Sequence, residues 1–287
     1  MEGLNISIKI VTDSTSYIPK DLIDSYDISV VSLGVSFPDG NYREVDLNNE
    51  TFYNKMAQSK TIPTSSQPSI KEMSDIFENI VAKGDQVAAV LLSSKMSGTF
   101  SSAFLARDMV KDKYPDAVIE ILDSTSNCMQ LGFVALTAAK AAKEGLPMTK
   151  VLDRANKVIQ TSKFLFVPDS LEYLKKGGRI GGAAAIIGGI LHIKPILTVK
   201  DGTTAMFDKV RTKKKAIDTI LSFFKEQIEE KGLGEVVVHH INCEADGKQL
   251  AERILEITGH MPRVISIGPV IGLHVGPGTI GVAFYTL

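Results

Sequence analysis

Short apolar runs punctuate the first part of this chain: ISIKIVT (6–12), ISVVSLGVSF (28–37), VAAVLLS (87–93), AVIEIL (117–122) and FLFVP (164–168). Each is rich in β-branched side chains or leucine, the pattern of strands buried on both faces. Between them, apolar positions recur at helical spacing. Ile70, Met73, Ile76, Phe77, Ile80 and Val81 share one helix face, and Ser69 with Glu72 makes a capping box at its start. Phe100, Ala103, Phe104, Arg107 and Val110 mark a second helix, closed before Pro115. GFVALTAAKAAKEG (132–145) is a third, with Lys143 in its last turn and Gly145 as its C-cap. Strand–helix alternation predicts a parallel α/β sheet over residues 1–160.

The pattern then changes. IKPILTV (193–199), Asp201-Gly202 and TTAMFDKV (203–210) read as a hairpin. A long amphipathic helix follows through Ile217, Ile220, Leu221, Phe224 and Ile228 and ends at Gly232. EVVVHHI, RVISIG and IGVAFYTL read as strands of a sheet with antiparallel pairs, and a further helix lies around 250–254. The predicted fold class is α/β in two domains. An N-terminal α/β/α domain with a parallel sheet spans 1–160, and a C-terminal α/β domain with a mixed sheet spans 161–287.

Composition narrows the class of protein. The chain has 287 residues, 44% apolar and 23% charged, with net charge −1, so neither nucleic acid nor an anionic membrane is an expected partner. Two cysteines, Cys128 and Cys243, make no disulfide framework and fit a reducing cytoplasm. The start, MEGLNISIKI, lacks the basic and long apolar regions of a signal peptide. IGGAAAIIGGIL (180–191) is the most membrane-like stretch and is too short to span a bilayer.

Several motifs are candidates for chemistry. GPGTIG (276–281) matches a dinucleotide-binding glycine pattern, but only a strand-like VAFYTL follows it, so the required helix is missing. Adjacent His239 and His240 point to opposite faces of a strand, and with Cys243 they form no completed ligand cluster. No metal or cofactor is expected. TDSTS (12–16) and LDSTS (122–126) each follow a strand and offer N-caps for the next helix. LLSSKMSGTF (91–100) puts three serines and a threonine directly behind an apolar run. Ser97 lacks the glycine of a nucleophile elbow, since Lys95 holds its place, although His274 could serve it as a base in a hydrolase. Ser97-Gly98-Thr99 also stands between strand and helix, where free amides and the helix dipole favour an anion. TSSQPS (64–69) offers a second such turn. Two neutral turns with hydroxyls suit one carboxylate rather than a polyphosphate, for which lysine or arginine within the loop is expected. Simple N-capping explains the same spacing.

The ordered set VTDSTS (11–16), PTSSQPS (63–69), SSKMSGTF (93–100), LKKGGRIGG (174–182), KVRTKKKA (209–216) and GPVIGLHVGPGTIGVAF (268–284) resembles the DegV family, bacterial fatty-acid-binding proteins that include the acyl-binding subunit of fatty acid kinase. The resemblance covers essentially the whole chain. It implies a non-catalytic protein of two α/β domains with one long-chain fatty acid between them. Ser97 and the Gly98 amide would meet the carboxylate, with His274 close by. Ser65 stands where the family's usual motif has threonine, which keeps the hydroxyl and loses the methyl. Arg179 and Arg211, with Lys175 and Lys176, would face the kinase catalytic subunit and the acyl-phosphate. A serine-dependent acyl ester hydrolase using Ser97 and His274 is the alternative. A sugar- or dihydroxyacetone-binding module is disfavoured by the scarcity of polar residues beyond these motifs.

Overall fold

The computed structural model describes residues 6–59, 61–186 and 193–287. It divides into two compact units, one of 6–34 with Ser66–Gln160 and the other of Val35–Ser65 with Thr161–Leu287.

The first unit is built on a parallel sheet in the order Ser29–Val31, Ile8–Asp13, Gln86–Leu91, Ile119–Asp123. Its strands come from the first four apolar runs, while FLFVP falls in the second unit's sheet, and its central strands are covered on both faces as that pattern requires. Val11, Val87, Ala89, Leu91 and Ile119 pack against Met73 and Phe77 of the helix Ile70–Val81 and Ala103, Ala106 and Val110 of the helix Thr99–Lys111. The alternate residues Ile10, Ala88 and Val90 are equally buried, and the helix Cys128–Lys143 packs on their strands. Ser69 Oγ accepts from Glu72 N, so the predicted cap is in place. The third helix begins at Cys128, four residues before the predicted start at Gly132, because its first turn is buried too.

The second unit has a mixed six-stranded sheet in the order Thr203–Val210, Lys194–Lys200, Ser162–Val167, Ile280–Thr286, Leu233–His240, Arg263–Ser266. All its pairs are antiparallel except that of Leu233–His240 with Arg263–Ser266. The hairpin turns through Asp201 (φ 50°) and Gly202 (φ 80°), the two left-handed residues a two-residue turn needs. Leu221 and Phe224 of the helix Lys213–Lys231 and Leu250 and Ile254 of the helix Glu244–Thr258 close over Leu165, Val238, Val282 and Phe284.

The run 28–37 is not one strand. It breaks into Ser29–Val31 and Gly34–Phe37, and the Leu33 amide between them donates to Ser14 Oγ at 3.0 Å instead of to a ladder. A division at residue 160 alone also leaves Val35–Ser65 in the wrong unit. That segment is tied to the second unit by buried polar groups: Tyr53 Oη donates to Ile267 O at 2.8 Å, and Val270 N to Glu44 Oε1 at 2.8 Å. No helix among the described residues is long and apolar enough to cross a membrane.

Candidate functional site

In the first unit the polar turns gather at the C-terminal edge of the parallel sheet, where open α/β sheets present ligand-binding loops. The turn 92–99 is braced from both sides. Asp13 is fully buried and accepts from Leu92 N at 2.7 Å, Thr15 N at 3.0 Å and Thr15 Oγ1 at 2.5 Å. Burial pushes its carboxyl up to about 6, against those three hydrogen bonds. On the other side Ser93 N donates to Ser126 O at 2.8 Å, and Ser94 N lies 3.3 Å from the Asp123 carboxylate. The two DSTS echoes are thus the clamps of one turn.

That bracing uses up most of the amides expected to be free. Lys95, Met96 and Ser97 donate to Ser93, and Thr99 N donates to Ser97 Oγ at 3.3 Å. Of the amides from 92 to 99, Gly98 N is the one for which the described residues supply no acceptor. Ser97 Oγ also meets Thr99 Oγ1 at 2.9 Å, and Gly98 is exposed. Gly98 has φ −71° and ψ −1°, open to any residue, yet a Cβ on it would stand 2.0 Å from Gln67 Oε1. The glycine therefore admits the Gln67 carboxamide, a neighbour that sequence reasoning missed although it quoted TSSQPS.

In the second unit Ser65 Oγ and His274 Nε2 lie 2.8 Å apart. Pro269–Val275 forms a short helix with Pro269 in its first turn, which the glycine- and proline-rich sequence did not suggest. His274 is 9% exposed, and its Nδ1 has no hydrogen-bond partner among the described residues. Burial, with the Arg179 guanidinium adding to it, lowers the imidazole to about 4, so the ring is neutral at pH 7. The pair stands on the wall of a cavity of about 740 Å³ that Met56, Ile62, Tyr173, Arg179 and Leu273 also line. Arg179 is exposed beyond Gly177-Gly178, and its Nη1 donates to Gly177 O at 2.7 Å. Tyr173 and Gly177 were not singled out from the sequence. The ring of Tyr173 lies where a Cβ on Gly276 would be, 2.3 Å from its Cδ2, so Gly276 makes room for that ring.

The remaining candidates are less concentrated. Arg211 is exposed, just before the Thr212 cap of the helix Lys213–Lys231, whose Lys213 is committed to Asp246 at 2.6 Å. Lys175 is exposed on the helix Glu172–Lys176, and Lys176 pairs with Glu172. Residues 181–186 of the Gly/Ala run form a 3₁₀ helix beside the strand Thr203–Val210, and its continuation 187–191 lies outside the described residues. His239 is a sheet residue: Nδ1 lies 3.1 Å from Ile265 O, its ring meets Phe164 edge-on, and burial lowers it to about 4. GPGTIG is followed by the strand Ile280–Thr286, as the dinucleotide motif forbids.

Fold and site define a class: a two-unit α/β protein whose candidate sites are hydroxyls and amides at turns, with an unusually buried neutral histidine. The chain belongs to the DegV family: the model described as "Uncharacterised protein, DegV family" matches residues 7–287. It is 53% identical over 281 residues to a DegV domain-containing protein of Clostridium acetobutylicum, covering 98% of each chain. Among solved structures it resembles the fatty-acid-binding protein DegV of Bacillus subtilis at 33% identity and TM-score 0.87, covering 98% of this chain and 100% of that one. It also resembles a stearic acid-binding protein from Eubacterium ventriosum at 27% identity and TM-score 0.90, covering 97% and 98%.

Proposed function

We propose that this chain binds a long-chain fatty acid and holds its carboxylate at Ser65 and His274. The observation that carries the reading is the Ser65–His274 contact, 2.8 Å long, on the wall of a cavity of about 740 Å³. That volume falls within the roughly 300–1,000 Å³ of small-molecule sites. Met56, Ile62 and Leu273 supply apolar contacts within a mostly polar lining that suits a carboxylate head. The likeness to solved fatty-acid-binding DegV proteins supports the class of ligand. The Ser97–Thr99 turn of the first unit is assigned the same role toward a carboxylate, through Ser97 Oγ and Gly98 N. Burying ~14 methylenes at ~0.8 kcal/mol each gives roughly 11 kcal/mol before the costs of association. A hydrogen bond to the charged head adds ~1.5–3 kcal/mol. The tail supplies affinity and the hydroxyls set register.

In the fuller form of this reading the protein works in the cytoplasm. It presents the carboxylate to a separate ATP-dependent fatty acid kinase, which forms an acyl-phosphate for phospholipid synthesis. Arg179 and Arg211 are the groups suited to grip a phosphate bidentately. The hydrolase alternative is weakened by three observations. His274 Nε2 is engaged by Ser65, its Nδ1 has no carboxylate to orient it among the described residues, and a ring lowered to about 4 is a poor base at pH 7. Native and denaturing mass spectrometry of the purified protein tests the reading. A fatty acid that co-purifies and leaves on denaturation is expected. A chain that cannot take up any fatty acid, or an acyl adduct on a serine, would overturn it.

A further inference from the structure

The surroundings of His274 fix which of its nitrogens carries the proton. Nε2 meets Ser65 Oγ, while Nδ1 is buried and has no partner among the described residues. The backbone of Gly177 lies against Nδ1, where a Cβ would stand 2.3 Å away. Gly177 has φ −75° and ψ −6°, which any residue adopts, so space and not backbone strain explains the glycine. Arg179 Nη1 donates to the Gly177 carbonyl and ties down this turn.

A neutral imidazole has one N–H and one lone pair, so its two tautomers leave different groups unpaired. A proton on Nδ1 would orphan a buried donor and point an N–H dipole into the field of the Arg179 cation. A proton on Nε2 leaves only a lone pair at Nδ1, and buried orphan donors are the rarer case in folded proteins. We infer that Ser65 and His274 form a one-way relay: Nε2–H donates to Ser65 Oγ and turns the serine O–H into the cavity, with Gly177 as the positioning residue that keeps the ring in place. This rests on the carboxylate reading above and sharpens it. The wall offers its ligand a hydroxyl donor, and a hydrogen bond to an ionised oxygen is the stronger one, so a carboxylate is preferred over an alcohol of equal length. The serine proton is not passed to the ring, so Ser65 is a contact and not a nucleophile.

Nitrogen-15 NMR of the wild-type imidazole at pH 7 reads the tautomer directly. The Nε2–H form is expected, and an Nδ1–H form or an imidazolium would overturn the relay. Titrations with palmitate and 1-hexadecanol then test selection. Ser65→Ala should lose roughly 10- to 100-fold in palmitate affinity and little for hexadecanol, and Ser65→Thr should restore palmitate binding. Gly177→Ala should weaken palmitate and shift the tautomer signals. If it does not fold, the wild-type spectrum and the Ser65 pair decide. Equal losses for the two ligands would overturn the selection. A wild type that ignores palmitate would overturn the carboxylate reading, while the spectrum would still decide the relay.

Discussion

Gly98→Ala separates a glycine kept for folding from one kept for a ligand. At φ −71° and ψ −1° alanine fits the backbone without strain. Such a change stabilises by about 0.4–1 kcal/mol through the unfolded state. Against this, the new methyl would stand 2.0 Å from Gln67 Oε1, so the Gln67 side chain must move. Gln67 is exposed and its side chain has three rotatable bonds, so an imperfect rotamer costs on the order of 0.5–1.5 kcal/mol. The two effects nearly cancel. Stability should change by less than about 1 kcal/mol, a Tm shift of no more than roughly 4 °C. Binding should respond far more, because Gly98 N is the amide of the turn left without an acceptor among the described residues and the displaced carboxamide would crowd it. A lost hydrogen bond to a carboxylate is ~1.5–3 kcal/mol, or roughly 10- to 100-fold. Thermal melts and fatty-acid titration of the variant give both numbers. Loss of several kcal/mol of stability would make Gly98 a structural residue, and unchanged affinity would remove it from the head-group contacts.

Other outcomes follow from the same geometry. Ser97→Ala should weaken fatty-acid binding by ~1.5–3 kcal/mol and cost about 0.5–1 kcal/mol of stability, since Thr99 N loses its acceptor; intact lipid retention in an exchange assay would refute the contact. Acidification should expose opposed groups. His239 and His274, lowered to about 4, stay neutral when folded while the unfolded chain gains protons below about pH 6.5, so each removes up to roughly 3 kcal/mol as pH falls to 4. Asp13 has the opposite sign: raised to about 6, it binds its proton more tightly when folded, and its cost, also roughly 3 kcal/mol, appears as pH rises from 4 to 6. Asp13→Asn should therefore be more destabilising at pH 4 than at pH 7 in urea unfolding, and parallel pH profiles would contradict this. Arg179→Ala and Arg211→Ala should leave lipid loading largely intact but slow acyl-phosphate formation with ATP and a cognate kinase; wild-type turnover in both would remove the phosphate-gripping role.

Much of the fold was legible because its signals are local. The uniformly apolar runs marked the strands of the parallel sheet, Ser69 capped its helix as spaced, and Asp201-Gly202 made the hairpin turn. Each depends on periodicity or backbone preference within a few residues. The short helices Lys20–Tyr26, Asn49–Gln58 and Pro269–Val275 escaped because they span few turns or, in the last, are buried on every side, which erases amphipathic contrast.

What the sequence determined by itself was the chemistry on offer: hydroxyls, glycines and one histidine at the right kinds of turn. It could not say which of them meet. Ser65 and His274 are 209 residues apart in the chain, and no spacing along it shows that their side chains meet. Tertiary structure also decided that the DSTS echoes clamp the turn 92–99, so that its amides are mostly consumed, and that Gly98 and Gly177 hold space for Gln67 and His274. The physical reason is the same in each case. Propensity acts through neighbours along the chain, whereas a buried hydrogen bond or a missing Cβ answers to whatever atom the fold brings within about 3 Å.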